Sequence, residues 1–193
     1  YINDPDVRRQ AWEGRRHHPA WTAEPNAGHL ALASLQRSGH LGAILTQNID
    51  GLHQQAGSVD VVELHGTIWE VECLSCGHRT PTHETLDRAE ADPPCLQCGG
   101  ILKTATISFG QRLDSHILDR AIDEARGADL LVAIGTTLQV TPAAGLADMA
   151  RHLAIVNAGP TAYDELADVV VRAPIGQVLP AVAEALRESG QAE

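Results

Sequence analysis

Thr46-Gln47-Asn48-Ile49-Asp50-Gly51-Leu52-His53 is the stretch on which the reading of this chain turns, with Glu63-Leu64-His65-Gly66 as its partner downstream. The apolar run 41–45 leads in like a short buried strand and stops at polar residues. Gln47, Asn48 and Asp50 therefore sit at a strand end, the place where parallel α/β sheets bind ligands. A second apolar run, 59–64, broken by Asp60 and Glu63, delivers His65 with Gly66 behind it, so the backbone can turn sharply there. Taken singly, Asn48 and Asp50 read as turn caps and His65 as an ordinary half-buried histidine. Taken together, an amide pair, a carboxylate and an imidazole at two strand ends suit a site that binds a sugar or carboxamide and moves a proton.

The flanking patterns alternate helix and strand. Asn3-Asp4-Pro5 starts a helix with a weak stripe at Val7, Gln10 and Ala11. Pro25 fits the first turn of a second helix, in which Leu30, Ala33, Ser34 and Leu35 recur at helical spacing. Asp114 to Arg126 is amphipathic and stopped by Gly127. Asp129 to Ile134 is nearly continuous and apolar, as expected at the centre of a parallel sheet. It runs into Gly135-Thr136-Thr137, where glycine lets a ligand approach the backbone and two hydroxyls can bond phosphate or ribose. Leu153 to Val156 ends at Asn157. A further strand spans 167–171, followed by Pro174-Ile175-Gly176 and a closing helix.

Between these halves lie Cys73-Leu74-Ser75-Cys76 and Cys95-Leu96-Gln97-Cys98, which use every cysteine in the chain. Four thiolates so spaced close a tetrahedral zinc site, one zinc per chain, with no open position for water and hence a structural role. Two disulfides or a redox pair are the rivals, and the paired spacing favours zinc. The fold class read from these patterns is α/β: a Rossmann-like parallel sheet flanked by helices over 1–66 and 105–193, with a small zinc-ribbon insert at 67–104. The segment 80–94 reads as a mobile polar excursion, and residues 105–111 as a strand of the main sheet.

The chain has 193 residues, 44% hydrophobic and 3% aromatic, with a net charge of −11. That balance argues against nonspecific binding of nucleic acid or anionic membrane. A nucleic-acid-binding ribbon would want basic residues around the knuckles, yet Glu70, Glu72, Glu84, Asp87, Glu90 and Asp92 crowd there instead. No apolar run reaches the length of a membrane helix and no signal peptide is present, so the expected compartment is the cytoplasm.

The motifs at 46–53 and 64–66 resemble the core signature of the sirtuins, the NAD-dependent protein deacylases, and the likeness extends over nearly the whole chain. The resemblance implies NAD as co-substrate and an acyl-lysine protein or peptide as partner. It implies catalytic roles for His65, Asn48 and Asp50, with His65 as general base. Gln47, Asn48, Ile49, Asp50, Gly135, Thr136, Thr137, Asn157 and Ile175 would contact the cofactor. Ile107, Ser108, Phe109 and Gly110 would line the peptide site. Thr104-Ala105 stands where the family has Pro-Asp, and Gln111 where it has Glu, which leaves acyl preference open. The family's Gly-Ala-Gly-Ile-Ser turn and Asp-Phe-Arg loop are not found from Tyr1 onward, so the chain reads as part of a longer protein, weak or inactive without them. The alternatives are a mono-ADP-ribosyltransferase on the same fold and a non-catalytic, zinc-stabilised module binding NAD or acyl-lysine.

Overall fold

The computed structural model describes residues 1–108 and 110–190. In chain order its elements are α1 (Pro5–Arg16), α2 (Ala27–Arg37), β1 (Ile44–Thr46), α3 (Leu52–Gln55), β2 (Val61–Glu63) and β3 (Gly66–Cys73). There follow β4 (Arg79–Pro81), α4 (Thr82–Asp87), β5 (Leu102–Thr106), α5 (Ser115–Gly127) and β6 (Leu130–Ile134). The last are β7 (His152–Val156), β8 (Val169–Val171) and α6 (Ile175–Ser189), with short 3-10 turns at Pro19–Trp21 and Ala143–Asp148. These elements form two compact units.

The first unit comprises Tyr1–Ala23, Asn48–Gly51 and His65–Arg112. Its sheet is antiparallel, in the order β4-β3-β5. Its core is small: Trp12, Val71, Cys73, Cys95 and Leu102, with Leu86 packed against it. Residues 1–23 therefore belong with the cysteine knuckles and not with the parallel strands, as the sequence pattern had suggested. Trp12 is the reason. It is fully buried, whereas Val7, in the expected stripe, is 41% exposed. One indole covers more apolar surface than that stripe could. Around it, the Arg15 guanidinium lies 4.6 Å from the Trp12 ring, Arg8 pairs with Asp92 at 2.8 Å, and Arg16 donates to the Leu86 carbonyl at 3.0 Å.

β5 likewise pairs with β3 and not with the main sheet. The 80–94 segment carries the end of β4 and all of α4 and is packed rather than a bare excursion. Thr82 and Thr85 are buried, and the Thr82 hydroxyl donates to the Ile68 carbonyl at 2.6 Å. A hydroxyl with a partner can enter a core that polarity alone would exclude. Trp12→Ala should cost about 3–5 kcal/mol, the usual range for truncating a buried aromatic. Thermal and denaturant unfolding would measure it, and a loss under about 1 kcal/mol would detach α1 from this core.

The second unit comprises Glu24–Gln47, Leu52–Leu64 and Leu113–Glu193. Its strands are parallel, in two sheets ordered β1-β2 and β6-β7-β8. Successive residues of β1 feed opposite helical layers, as strand geometry requires. Ile44 packs with Ala31, Leu32, Leu35 and Leu179 of α2 and α6, while Leu45 joins Val62, Ala121, Ala125 and Leu146. Both sheets share these layers, since Ile134 joins the first cluster and Leu131 the second.

Two details differ from the sequence pattern. The N-cap of α2 is Asn26, in a reciprocal box with His29, so Pro25 precedes the cap instead of filling the first turn. Leu30 is 52% exposed, because the face against α6 is formed by Gly28, Ala31, Leu32 and Leu35. β6, expected at the centre of a sheet, is an edge among the described strands, with Leu130 and Val132 exposed. No helix of the described residues is long and apolar enough to cross a membrane.

Candidate functional site

The carboxyl ends of the parallel strands lead directly into the polar residues singled out in the sequence. Gln47 follows β1, Gly135-Thr136-Thr137 follows β6, and Asn157 follows β7. Gly135 is held in left-handed backbone (φ 64°), and a Cβ there would stand 2.9 Å from Ile175 Cδ1. The glycine thus brings the Thr136-Thr137 turn against Ile175, two candidate cofactor segments far apart in sequence. The Thr136 hydroxyl accepts from the Leu138 N–H at 3.1 Å, and the Thr137 carbonyl accepts from the Ala162 N–H at 3.2 Å. Asn157 donates its side-chain amide to the Gly159 carbonyl at 2.9 Å, so its turn role is real.

In the first unit, Asn48–Gly51 is pinned by its backbone to β3. The Ile49 carbonyl accepts from the Ile68 N–H at 3.0 Å, and the Asp50 carbonyl from the Trp69 indole at 2.7 Å. His65 stands at the start of the same strand, its carbonyl accepting from the Ile107 N–H at 2.9 Å. The candidate amide–carboxylate loop, the candidate base and the candidate peptide-site residue Ile107 are therefore tied to one strand pair. Ser108 and Gly110 follow as exposed residues, while Phe109 lies outside the described residues.

Gly66 sets this corner. Its φ is 69°, and a Cβ would fall 2.0 Å from the Ala105 carbonyl oxygen. Left-handed backbone costs a non-glycine residue about 1–2 kcal/mol, and overlap with a main-chain oxygen forces β3 and β5 apart as well. Gly66→Ala should lower the melting temperature and cut turnover at least about tenfold, by moving His65. Calorimetry with an activity assay checks this; a variant as stable and active as wild type would refute it.

The four cysteines converge as their spacing predicts. Their sulfurs all lie within 4.8 Å of one another. Cys73 and Cys98 are 3.5 Å apart, Cys76 and Cys95 3.8 Å. A zinc tetrahedron with bonds of about 2.3 Å has edges of about 3.8 Å, so the group fits; a disulfide needs about 2.05 Å. None of the four is in a disulfide.

Their electrostatics point the same way. Burial pushes the Cys73 thiol up, but the Cys76 and Ser75 N–H groups and the Cys98 and Cys76 thiols outweigh it and hold the pKa at about 6. Cys98 receives the Gly100 N–H, which favours the thiolate. The neighbouring Cys76 and Cys73 sulfurs and burial overcome it and push the pKa up to about 12. The sulfurs cannot all ionise side by side unaided, and a divalent cation is what permits it.

Sequence reasoning missed Trp69, whose indole holds Asp50, and Trp21, which packs edge-to-face on it with ring centroids 5.0 Å apart. The signal available was scarcity, since the chain has three tryptophans. It also missed Arg172, at the end of β8.

A parallel-stranded unit with a glycine–threonine turn at its strand ends, and a ribbon unit with a four-sulfur centre, define a dinucleotide-binding α/β protein carrying a zinc ribbon. Residues 3–142 match the Sir2 family. The chain is 52% identical over 195 residues to NAD-dependent protein deacetylase 2 of Streptomyces coelicolor, covering 96% of this chain and 81% of that one. It is 45% identical over 166 residues to an NAD-dependent protein deacetylase of Cutibacterium acnes, covering 85% and 67%. A Sir2 homologue solved as an NAD complex superposes with a TM-score of 0.86 at 31% identity, covering 94% of this chain and 73% of that one. The chain belongs to the Sir2 family.

Proposed function

We infer that this chain is an NAD-dependent protein deacylase, with acyl-lysine peptide as substrate, NAD as co-substrate and a structural zinc on Cys73, Cys76, Cys95 and Cys98. The observation that carries the reading is the anchoring of His65 and the Asn48–Gly51 loop on one strand pair, in a chain of this family. Other Sir2 proteins have been solved with p53 peptide and NAD, and with acetylated peptide, which supports a peptide substrate here.

NAD supplies an electrophilic sugar carbon and nicotinamide as its leaving group. Gln47, Asn48, Ile49, Asp50, Gly135, Thr136, Thr137, Asn157 and Ile175 would hold it. Asp50 can accept from a carboxamide NH₂ while the Ile49 N–H donates to the carboxamide oxygen. Asn48 and Gln47 would orient the ribose and a water. On the adenosine side, the Asn157 amide nitrogen is used in its own turn, so its oxygen is the group suited to accept from a ribose hydroxyl. Ile107, Ser108, Phe109 and Gly110 would line the extended peptide, whose main chain can pair with theirs. His65 would take a proton from a ribose hydroxyl as general base. The rest of the acceleration comes from orientation of the two substrates. The cytoplasm expected from composition belongs to the same reading.

Incubation with acetyl-lysine peptide, with and without NAD, tests it by mass spectrometry. Deacetylated peptide, nicotinamide and O-acetyl-ADP-ribose should appear only with NAD. Transfer of ADP-ribose to protein without deacylation would instead select the mono-ADP-ribosyltransferase. NAD binding with no reaction would select the non-catalytic module.

A further inference from the structure

The loop after β7 is held by a charged contact that the candidate cofactor residues do not themselves explain. Arg172 donates one guanidinium N–H to the Asn157 carbonyl at 3.1 Å and pairs through another with the Asp164 carboxylate. The other Asp164 oxygen accepts from the Thr161 hydroxyl at 2.7 Å. Between these residues, the Ala162 N–H reaches the Thr137 carbonyl at 3.2 Å, and the Asn157 N–H bonds the Val171 carbonyl at 3.2 Å. One guanidinium therefore ties the start of the loop to Asp164 within it, and the loop touches two separate candidate cofactor segments.

We propose that Arg172 and Asp164 are positioning residues for dinucleotide binding, a clasp that holds the Asn157 turn and its tether to Thr137 in the bound arrangement. The inference rests on the cofactor reading above. An ordinary exposed ion pair adds little to stability. This pair differs because the planar fork engages a carboxylate and a main-chain oxygen at once, which a lysine cannot reproduce. The Arg172 hydrogen bond, with that of Thr161, holds the Asp164 carboxyl below the usual carboxylate range, so both charges are present at neutral pH. The side chains are 34% and 29% exposed, enough shielding to hold one geometry while leaving the fold's apolar clusters untouched. Without the fork, NAD must order the loop as it binds, and affinity falls by the cost of that ordering.

The test is a comparison of the wild-type protein with Arg172→Ala, Arg172→Lys and Asp164→Asn. Dissociation constants for NAD come from calorimetry, and steady-state constants for both substrates from the deacylation assay. The alanine and asparagine variants should raise the Kd and KM for NAD about tenfold. Their kcat at saturating NAD and KM for peptide should stay within about twofold, because the clasp lies on the adenosine side. Arg172→Lys should fall between them and wild type. Equal NAD affinity in folded Arg172→Ala overturns the proposal, as does a parallel loss in kcat and peptide KM. If Arg172→Ala does not fold, Asp164→Asn and Thr161→Ala carry the same expectation, and unchanged NAD affinity in both overturns it. A wild type that binds no NAD removes the functional reading and the clasp together; a wild type that binds, with variants that match it, removes the clasp alone.

Discussion

Replacing His65 with tyrosine is expected to lower kcat by at least about a hundredfold, with the dissociation constants for NAD and acyl-peptide within a few-fold of wild type. A positioned general base contributes roughly 10²–10⁴ in rate, and a phenol with an ordinary pKa of about 10 cannot take up a proton near neutrality. The geometry should survive the change. His65 is held through its carbonyl by the Ile107 N–H, and the corner behind it is set by Gly66, neither of which depends on the imidazole. The residue is half-buried, so the larger phenol does not have to fit into a closed core. Single-turnover assays with direct binding titrations separate the two effects. Undiminished turnover would take His65 out of the mechanism, and lost binding with normal folding would make it a ligand contact instead.

The second large effect is metal removal. Purified protein should contain one zinc per chain, and a strong chelator should unfold the first unit while the second keeps its secondary structure. Structural zinc contributes apparent free energies of about 10–16 kcal/mol in small metal-dependent domains. Among its described residues the first unit has one small apolar cluster, and two of its five members are the candidate ligands Cys73 and Cys95. The second has three among its described residues. Tryptophan fluorescence is a selective probe, since Trp12, Trp21 and Trp69 all lie in the first unit. Cys76→Ser is the cleaner variant. Cys76 is exposed, so its loss reports on the metal and not on a core cavity. Protein that is metal-free, folded and indifferent to chelator would refute the zinc assignment.

How far the sequence could be read depended on the range of the physics at each position. Cap and turn chemistry is local, and Asp4, Asp114 and the polar residues at the strand ends were legible from it. The cysteine knuckles were legible because a metal imposes its own spacing. Pairing partners were not. Residues 102–106 pair with β3 and not with the parallel strands, and period-2 alternation looks the same in either sheet. Segment 80–94 looked like an excursion because a hydroxyl hidden by a distant carbonyl, as Thr82 is by Ile68, leaves no local mark.

From the sequence alone came the α/β class, the four-sulfur centre, the family likeness and the residues that would carry the chemistry, since each rests on short-range pattern or on ligand geometry. Only the tertiary structure decided that α1 packs into the ribbon through Trp12, that Trp69 holds the Asp50 carbonyl, and that Arg172 clasps the Asn157 loop. Those three depend on contacts between residues far apart in the chain. What selects such partners is the matching of shape and charge in space, and neighbouring residues carry no record of it.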